Sequence, residues 1–229
     1  FRNELSDSEE GFQANNRSEF SEVLKQSSEL DIKQHILDKL PEYDQNIQKY
    51  EEKLNRNREE YIRLKYFQWL SLLFTEVYLD LYFNNQDKLL LKFSDSVEER
   101  RNELDAEDLY SAAKGNLSKL AYWMATGSGK TLIMHANLWQ YQRYSNGEME
   151  NVLLITPNEG LTQQHMDEFE ASGINAARFR PENSQNSDID VSVMDIHKLS
   201  DESGDKTYSV DIFEGDIPRL VKSSLAFSV

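Results

Sequence analysis

The segment Ala125-Thr126-Gly127-Ser128-Gly129-Lys130-Thr131 constrains this chain more than any other. It joins an apolar strand candidate, Leu120-Ala121-Tyr122-Trp123-Met124, to an amphipathic run, Leu132–Arg143. Glycines let the backbone curl so that successive N–H groups turn inward towards an anion. The N-terminus of the following helix adds partial positive charge. In such a loop Lys130 reaches the β- and γ-phosphates and the Thr131 hydroxyl ligates Mg²⁺. Thr126, Gly127, Ser128, Gly129, Lys130 and Thr131 are therefore the candidate nucleotide-binding residues. The strict fingerprint has Gly five residues before Gly129, where this chain has Met124. A plain Gly/Ser turn would share the glycines. Strand, Gly-x-Gly-Lys-Thr and helix in succession favour the phosphate loop.

The flanking pattern predicts an α/β arrangement. After Lys114-Gly115-Asn116, short apolar runs alternate with amphipathic ones: Leu120–Met124, Leu132–Arg143, Val152–Thr156, Leu161–Ala171, Ala176–Phe179 and Val191–Ile196. That succession is the signature of a parallel sheet covered by helices. The front of the chain differs. Residues 1–30 are polar and weakly periodic, which predicts a loosely held lead segment. Leu30, Ile32, Ile36, Leu37 and Leu40 mark a helix that Pro41 is expected to stop, and Tyr43 to about Leu64 reads as a second helix. In the run to Phe83, the residues Leu70, Leu73, Phe74, Val77 and Leu81 share one side of a helix and form the expected buried stripe, ended by Asn84-Asn85. Residues 95–110 predict an exposed helix followed by a loop, and 181–190 a polar surface loop.

Composition narrows the partners. In the 229 residues, 25 Lys and Arg against 41 Asp and Glu give a net charge of -16. Residues 1–110 hold 15 of the basic and 25 of the acidic side chains, leaving 10 and 16 for the rest. A phosphate-backbone binder is usually basic, so nucleic acid would have to touch a local patch. The absence of cysteine excludes disulfide and thiolate chemistry and fits a cytoplasmic setting. No apolar run reaches the length of about 18 residues that would suggest a membrane span. His35, His135, His165 and His197 have no metal-ligand spacing and read as helix-surface or sheet-edge residues.

A second constellation follows the loop: Val152-Leu153-Leu154-Ile155-Thr156-Pro157, then Asn158-Glu159-Gly160-Leu161. A strand that ends in Thr-Pro puts a hydroxyl and free backbone groups at the carboxyl edge of a sheet, where α/β proteins bind ligands. A simple strand-to-helix turn reads the same way.

Trp123 to Thr131, taken with Leu153 to Leu161, resembles motifs I and Ia of superfamily 2 helicases. The similarity is greatest to the DEAD/DEAH-like ATPases of type III restriction-enzyme Res subunits and related phage-defence proteins, a group that tolerates the residue at Met124. The resemblance implies a RecA-like P-loop domain, the first of two, behind an α-helical N-terminal region. The implied division is 1–30 lead segment, 31–115 helical region and 116–229 P-loop domain. It also implies an ATP hydrolase that works as a DNA translocase or helicase. ATP and Mg²⁺ would be its cofactors, duplex DNA its partner, and nuclease or modification subunits possible companions. Lys130 and Thr131 would hold phosphate and Mg²⁺, while Thr156 and Pro157 would face nucleic acid. Leu64-Lys65-Tyr66-Phe67-Gln68 resembles the segment whose Gln recognises adenine, which points to Gln68. An amide can donate and accept at the adenine edge together. A Gln on the polar border of a buried helix is the alternative.

The Walker B acids that such a site needs are missing: no Asp-Glu follows an apolar strand in this sequence. Asp195, at the end of Val191-Ser192-Val193-Met194-Asp195, lacks the neighbouring Glu and reads as a strand-end residue. Gly204–Thr207 and Val210–Gly215 resemble the lead-in to the acidic motif, and Leu225–Val229 reads as a strand. The expectation is a fragment whose carboxylates follow Val229, in keeping with a first residue that is Phe. Two alternatives stay open: a short nucleotide-binding, non-hydrolysing interaction module, and an RNA helicase fragment.

Overall fold

The computed structural model describes residues 2–13, 15–27, 32–104, 117–147, 149, 151–180, 189–199 and 224–228. Five helices come first: α1 (Arg2–Asp7), α2 (Glu19–Gln26), α3 (Gln34–Leu54), α4 (Tyr66–Asn84) and α5 (Gln86–Leu104). Then follow α6 (Lys130–Tyr144), β1 (Asn151–Thr156), α7 (Glu159–Ala171), β2 (Ala176–Arg178), β3 (Val191–Asp195) with a 3-10 turn (Ile196–Leu199), and β4 (Ser224–Ser228).

In its described residues the polar front segment is held, not loose. Ser18 caps α2 by accepting from the Ser21 N–H. The Ser18 N–H and hydroxyl both donate to the Asp44 carboxylate, at 2.8 and 2.6 Å. Trp69 Nε1 donates to the same carboxylate at 2.8 Å. One buried acid thus ties α2 to α3 and α4. Leu5, Phe20 and Leu24 are buried beside it, with Phe20 tilted on Trp69 at a centroid distance of 5.7 Å.

Pro41 does not stop a helix either: it lies inside α3. A proline there forgoes one backbone bond and crowds the preceding turn. Leu40, Tyr43, Ile47, Tyr50 and Leu54 share one buried face across it, and their packing outweighs that local cost. The second expected helix ends at Leu54, ten residues before Leu64. Asn55 turns the chain there by bonding both the N–H and the carbonyl of Ile62.

On α4 the buried face is also not the expected one. Trp69, Leu72, Leu73, Thr75, Glu76, Leu79 and Asp80 are buried, whereas Phe74 is 67% exposed. Leu70, Val77 and Leu81 are half-buried. The helix is apolar all round, so periodicity does not single out a face.

The sheet is parallel throughout, in the order β2-β3-β1-β4. Its register sets Thr156 beside Asp195 at the carboxyl edge. Val152, Leu154, Val191 and Val193 are buried with Met134, Leu138 and Phe169 from the covering helices. The opposite side of α6, through Ile133 and Ala136, joins a second core built from α1 to α4. α6 thus couples the helical bundle to the sheet.

One expected strand is missing from the sheet. Residues 120–124 pair with no strand and run along α4 instead. Among the described residues no helix is long and apolar enough to cross a membrane. Most of 95–110 up to Leu104 is helical as expected. The rest of that stretch, residues 181–188 and the acidic lead-in at 204–215 lie outside the described residues.

Candidate nucleotide site

Three hydrogen bonds lay the segment before the glycine loop along α4. Tyr78 donates its hydroxyl to the Leu117 carbonyl at 2.6 Å. The Thr75 and Tyr122 hydroxyls lie 2.6 Å apart, and Gln68 Nε2 donates to the Ser128 carbonyl at 2.8 Å. The partners descend α4 as the segment ascends, so the two run antiparallel. Tyr122 and Met124 pack on the helical core, and Trp123, between them, faces solvent completely. That is strand-like alternation on a helix rather than on a neighbouring strand. Burial raises the Tyr122 phenol to about 12, so it is neutral at physiological pH.

The loop then curls through two left-handed residues, Gly127 (φ 76°) and Gly129 (φ 82°). Gly129 caps α6, whose first residue is Lys130. The opening N–H groups of a helix have no partner within it, and the dipole favours an anion there. Lys130 Nζ arches back across the loop, donating to the carbonyls of Met124 at 3.3 Å and Ala125 at 3.1 Å. The Ser128 hydroxyl is buried with no hydrogen-bond partner. A Cβ on Gly127 would meet open space, whereas one on Gly129 would collide with Gln68 Nε2. Thr126 is exposed and Thr131 half-buried.

These features fit a triphosphate: a left-handed curl at a helix head, one ammonium, and an orphaned hydroxyl in the loop. For Mg²⁺ the loop offers the Thr131 hydroxyl. Mg²⁺ in such sites takes most of its ligands from phosphate and water. Among the described residues no group of three His, Asp or Glu side chains could hold a metal alone.

The other candidate residues sit at the sheet's carboxyl edge. The Thr156 hydroxyl is fully buried. It lies 2.6 Å from the Thr162 hydroxyl and 3.3 Å from the Met194 carbonyl it bonds. It fastens β1 to α7 and β3, which leaves Pro157 exposed at the edge. Asp195 accepts from the His197 N–H at 2.8 Å, a strand-end role. Arg178, close by, is paired with Glu159 and bonded to Gln163 at 3.0 Å.

Two histidines read as surface residues are buried. His135 has no exposed area and stacks on Phe169 at 4.4 Å, with its Nδ1 2.9 Å from the Ser172 hydroxyl. Burial pushes its pKa down to about 3. His165 is buried on α7, and burial lowers its pKa too. Sequence reasoning also missed Tyr122, Thr75 and Tyr78 as loop supports. Their separations along the chain carry no local signal; only the polar side chains on an otherwise apolar α4 hint at them.

The elements define a class first: an α/β protein in which a parallel sheet adjoins a helical bundle, with a glycine curl opening the helix between them. Residues 82–216 match the family described as type III restriction enzyme, res subunit. The match spans more than half of the chain, which belongs to that family of helicase-like, ATP-dependent proteins. It starts within α4, so the family region takes in part of the bundle. No curated protein and no solved structure matches the chain.

Proposed function

We propose that the chain is the ATP-binding part of an ATP-dependent DNA translocase or helicase that serves restriction or phage defence in the cytoplasm. The observation that carries this reading is the left-handed curl of Gly127 and Gly129 at the head of α6, with Lys130 arched over it. Family membership supports the same chemistry.

In this reading Thr126 to Thr131 form the phosphate loop of a RecA-like domain spanning 116–229, behind a helical region at 31–115. Lys130 leaves the Met124 and Ala125 carbonyls and turns its ammonium to the β- and γ-phosphates, where a cation offsets developing charge. The Thr131 hydroxyl offers an Mg²⁺ ligand. When bound, Mg-ATP supplies the phosphoryl group whose transfer to water drives the motor. Pro157 and the backbone at Thr156 face DNA, the hydroxyl of Thr156 being committed to packing. A nuclease or modification subunit would act on the same DNA.

The test is ATP binding and turnover by the chain with and without duplex DNA, beside Lys130→Ala. ATP binding lost in Lys130→Ala supports the phosphate site, and unchanged affinity refutes it. Lys130-dependent binding without turnover, with or without DNA, is what an ATP-binding part without its Walker B acids predicts, whereas turnover lost in Lys130→Ala would mean that an acid in this sequence, Asp195 first, completes the site. Duplex RNA in place of DNA separates the two nucleic acids.

A further inference from the structure

We infer that Lys33 at the head of α3, with Lys88 and Lys92 on α5, forms a contact patch for the phosphodiester backbone of duplex DNA. The inference rests on the reading of DNA as the partner. It places a contact on elements of the helical bundle that carry neither the glycine loop nor the sheet edge.

The three ammoniums gather around one imidazole. Lys92 Nζ lies 3.3 Å from His35 Nε2. An ammonium can only donate, so Nε2 accepts and the imidazole keeps its proton on Nδ1. Burial lowers the His35 pKa, and the charges of Lys88, Lys92 and Lys33 lower it further. The opposing charge is Asp38, which Gln34 engages at 2.8 Å. Lys92 is itself lowered, by burial and then by Lys33 and Lys88. Lys33 and Lys88 are exposed, and Lys92 and His35 half-buried. None of the three lysines pairs with a carboxylate among the described residues. Lys25, Lys39, Lys65, Arg58 and Arg143 each do.

The fold gains nothing from this grouping. Lys33 sets a cation at a helix head, where the dipole favours an anion. No side chain caps that head, and its first turn holds no acid. Lys88 and Lys92 stand four residues apart on α5, a spacing at which like charges repel. Cations held against the local electrostatics of the fold point to a polyanion that neutralises them. The net charge of -16 repels DNA from most of the surface. At physiological salt, however, charges more than about 8 Å apart are largely screened. A phosphate that touches the patch therefore meets the lysines and not the distant acids. Each lysine that meets a phosphate also releases a counterion. Such contacts position a duplex without reading its sequence.

The experiment measures binding of a labelled duplex of about 20 base pairs to the full chain, by fluorescence anisotropy from about 50 to 200 mM salt. Wild type is compared with Lys33→Gln/Lys88→Gln and with Lys49→Gln/Lys119→Gln, which removes the same charge from exposed lysines outside the patch. The patch variant is expected to lose about tenfold or more in affinity at the low-salt end. Its slope of log affinity against log salt should be shallower by about two, one for each lost phosphate contact. The control variant is expected to keep the wild-type slope. The melting temperature of the patch variant should equal or exceed that of wild type, since the charges removed oppose the fold. In wild type the His35 pKa is expected to rise when DNA is added, as phosphate offsets the surrounding lysines. Equal losses in the two variants, or a patch variant that binds like wild type, would overturn the inference and leave the DNA reading in place. Patch-dependent binding of duplex RNA or polyglutamate in preference to DNA would overturn it in favour of that partner. Failure of the DNA reading looks different: wild type then binds no duplex DNA even at low salt, and the inference falls with it.

Discussion

The Tyr144 hydroxyl donates to the Glu76 carboxylate at 2.8 Å, joining the end of α6 to the middle of α4. Asn46 of α3 and Gln140 of α6 donate to the same carboxylate, each at 2.9 Å. Glu76 has no exposed area, so these neutral donors stand in for water around a buried acid. Glu76→Ala would strand all three donors. We expect it to lower stability by at least about 1–3 kcal/mol, the cost of leaving a buried donor unpaired. Denaturant titration of the variant against wild type measures this, and a loss under about 1 kcal/mol would show that water replaces the carboxylate.

His135 sets an acid limit on the fold. Its pKa stands near 3 in the folded chain and near 6.5 when exposed. Above pH 6.5 the imidazole is neutral in both states and adds no pH dependence. As the pH falls below 6.5, only the unfolded chain takes up the proton, so stability declines until the pH reaches the folded value. By pH 5 the decline is about 2 kcal/mol. Urea midpoints at pH 7 and pH 5 should therefore differ more in wild type than in His135→Gln. Equal differences would assign the acid sensitivity to other groups, the buried His165 and the carboxylates among them.

The two faces of α4 separate in a pair of substitutions. Leu72 is fully buried and Phe74 is 67% exposed. Leu72→Ala should cost about 2–5 kcal/mol as a core truncation. Phe74→Ala should change stability by no more than about 0.5 kcal/mol. Thermal melts of both variants check the assignment, and a reversal would put the buried stripe where periodicity alone had suggested.

That pair also shows how far the sequence could be read. The glycine loop, α6, α7 and the parallel strands from Val152 onward were legible because each carries its own local signal: left-handed glycines, an apolar run, a helix cap such as Asn158. α4 was legible as a helix but not in its orientation, since apolar residues surround it. Pro41 misled because the buried face of α3 extends on both sides of it. The lead segment looked loose because its anchor is polar: Ser18 depends on Asp44, 26 residues away. Residues 120–124 have the composition of a strand. Their partner is a helix at the far end of a long separation, and no local pattern encodes that. In the candidate site, the place of Lys130 at the head of α6 was legible from the motif, whereas the bond of Gln68 to the Ser128 carbonyl was not.

The two loop glycines should respond differently to a methyl group. Both have positive φ, where an L-residue costs about 1–2 kcal/mol. Around Gly127 a Cβ has open space, so Gly127→Ala should carry that backbone cost alone and weaken ATP binding about tenfold or less. At Gly129 the Cβ also collides with Gln68, so Gly129→Ala displaces the Gln68 amide from the Ser128 carbonyl and should weaken binding further. Gln68→Ala opens that space. In its background the added cost of Gly129→Ala should shrink towards that of Gly127→Ala, as expected for residues in contact. ATP titrations of the four single and double variants measure the coupling. Simple additivity between Gly129→Ala and Gln68→Ala would mean that the two positions do not act through one another.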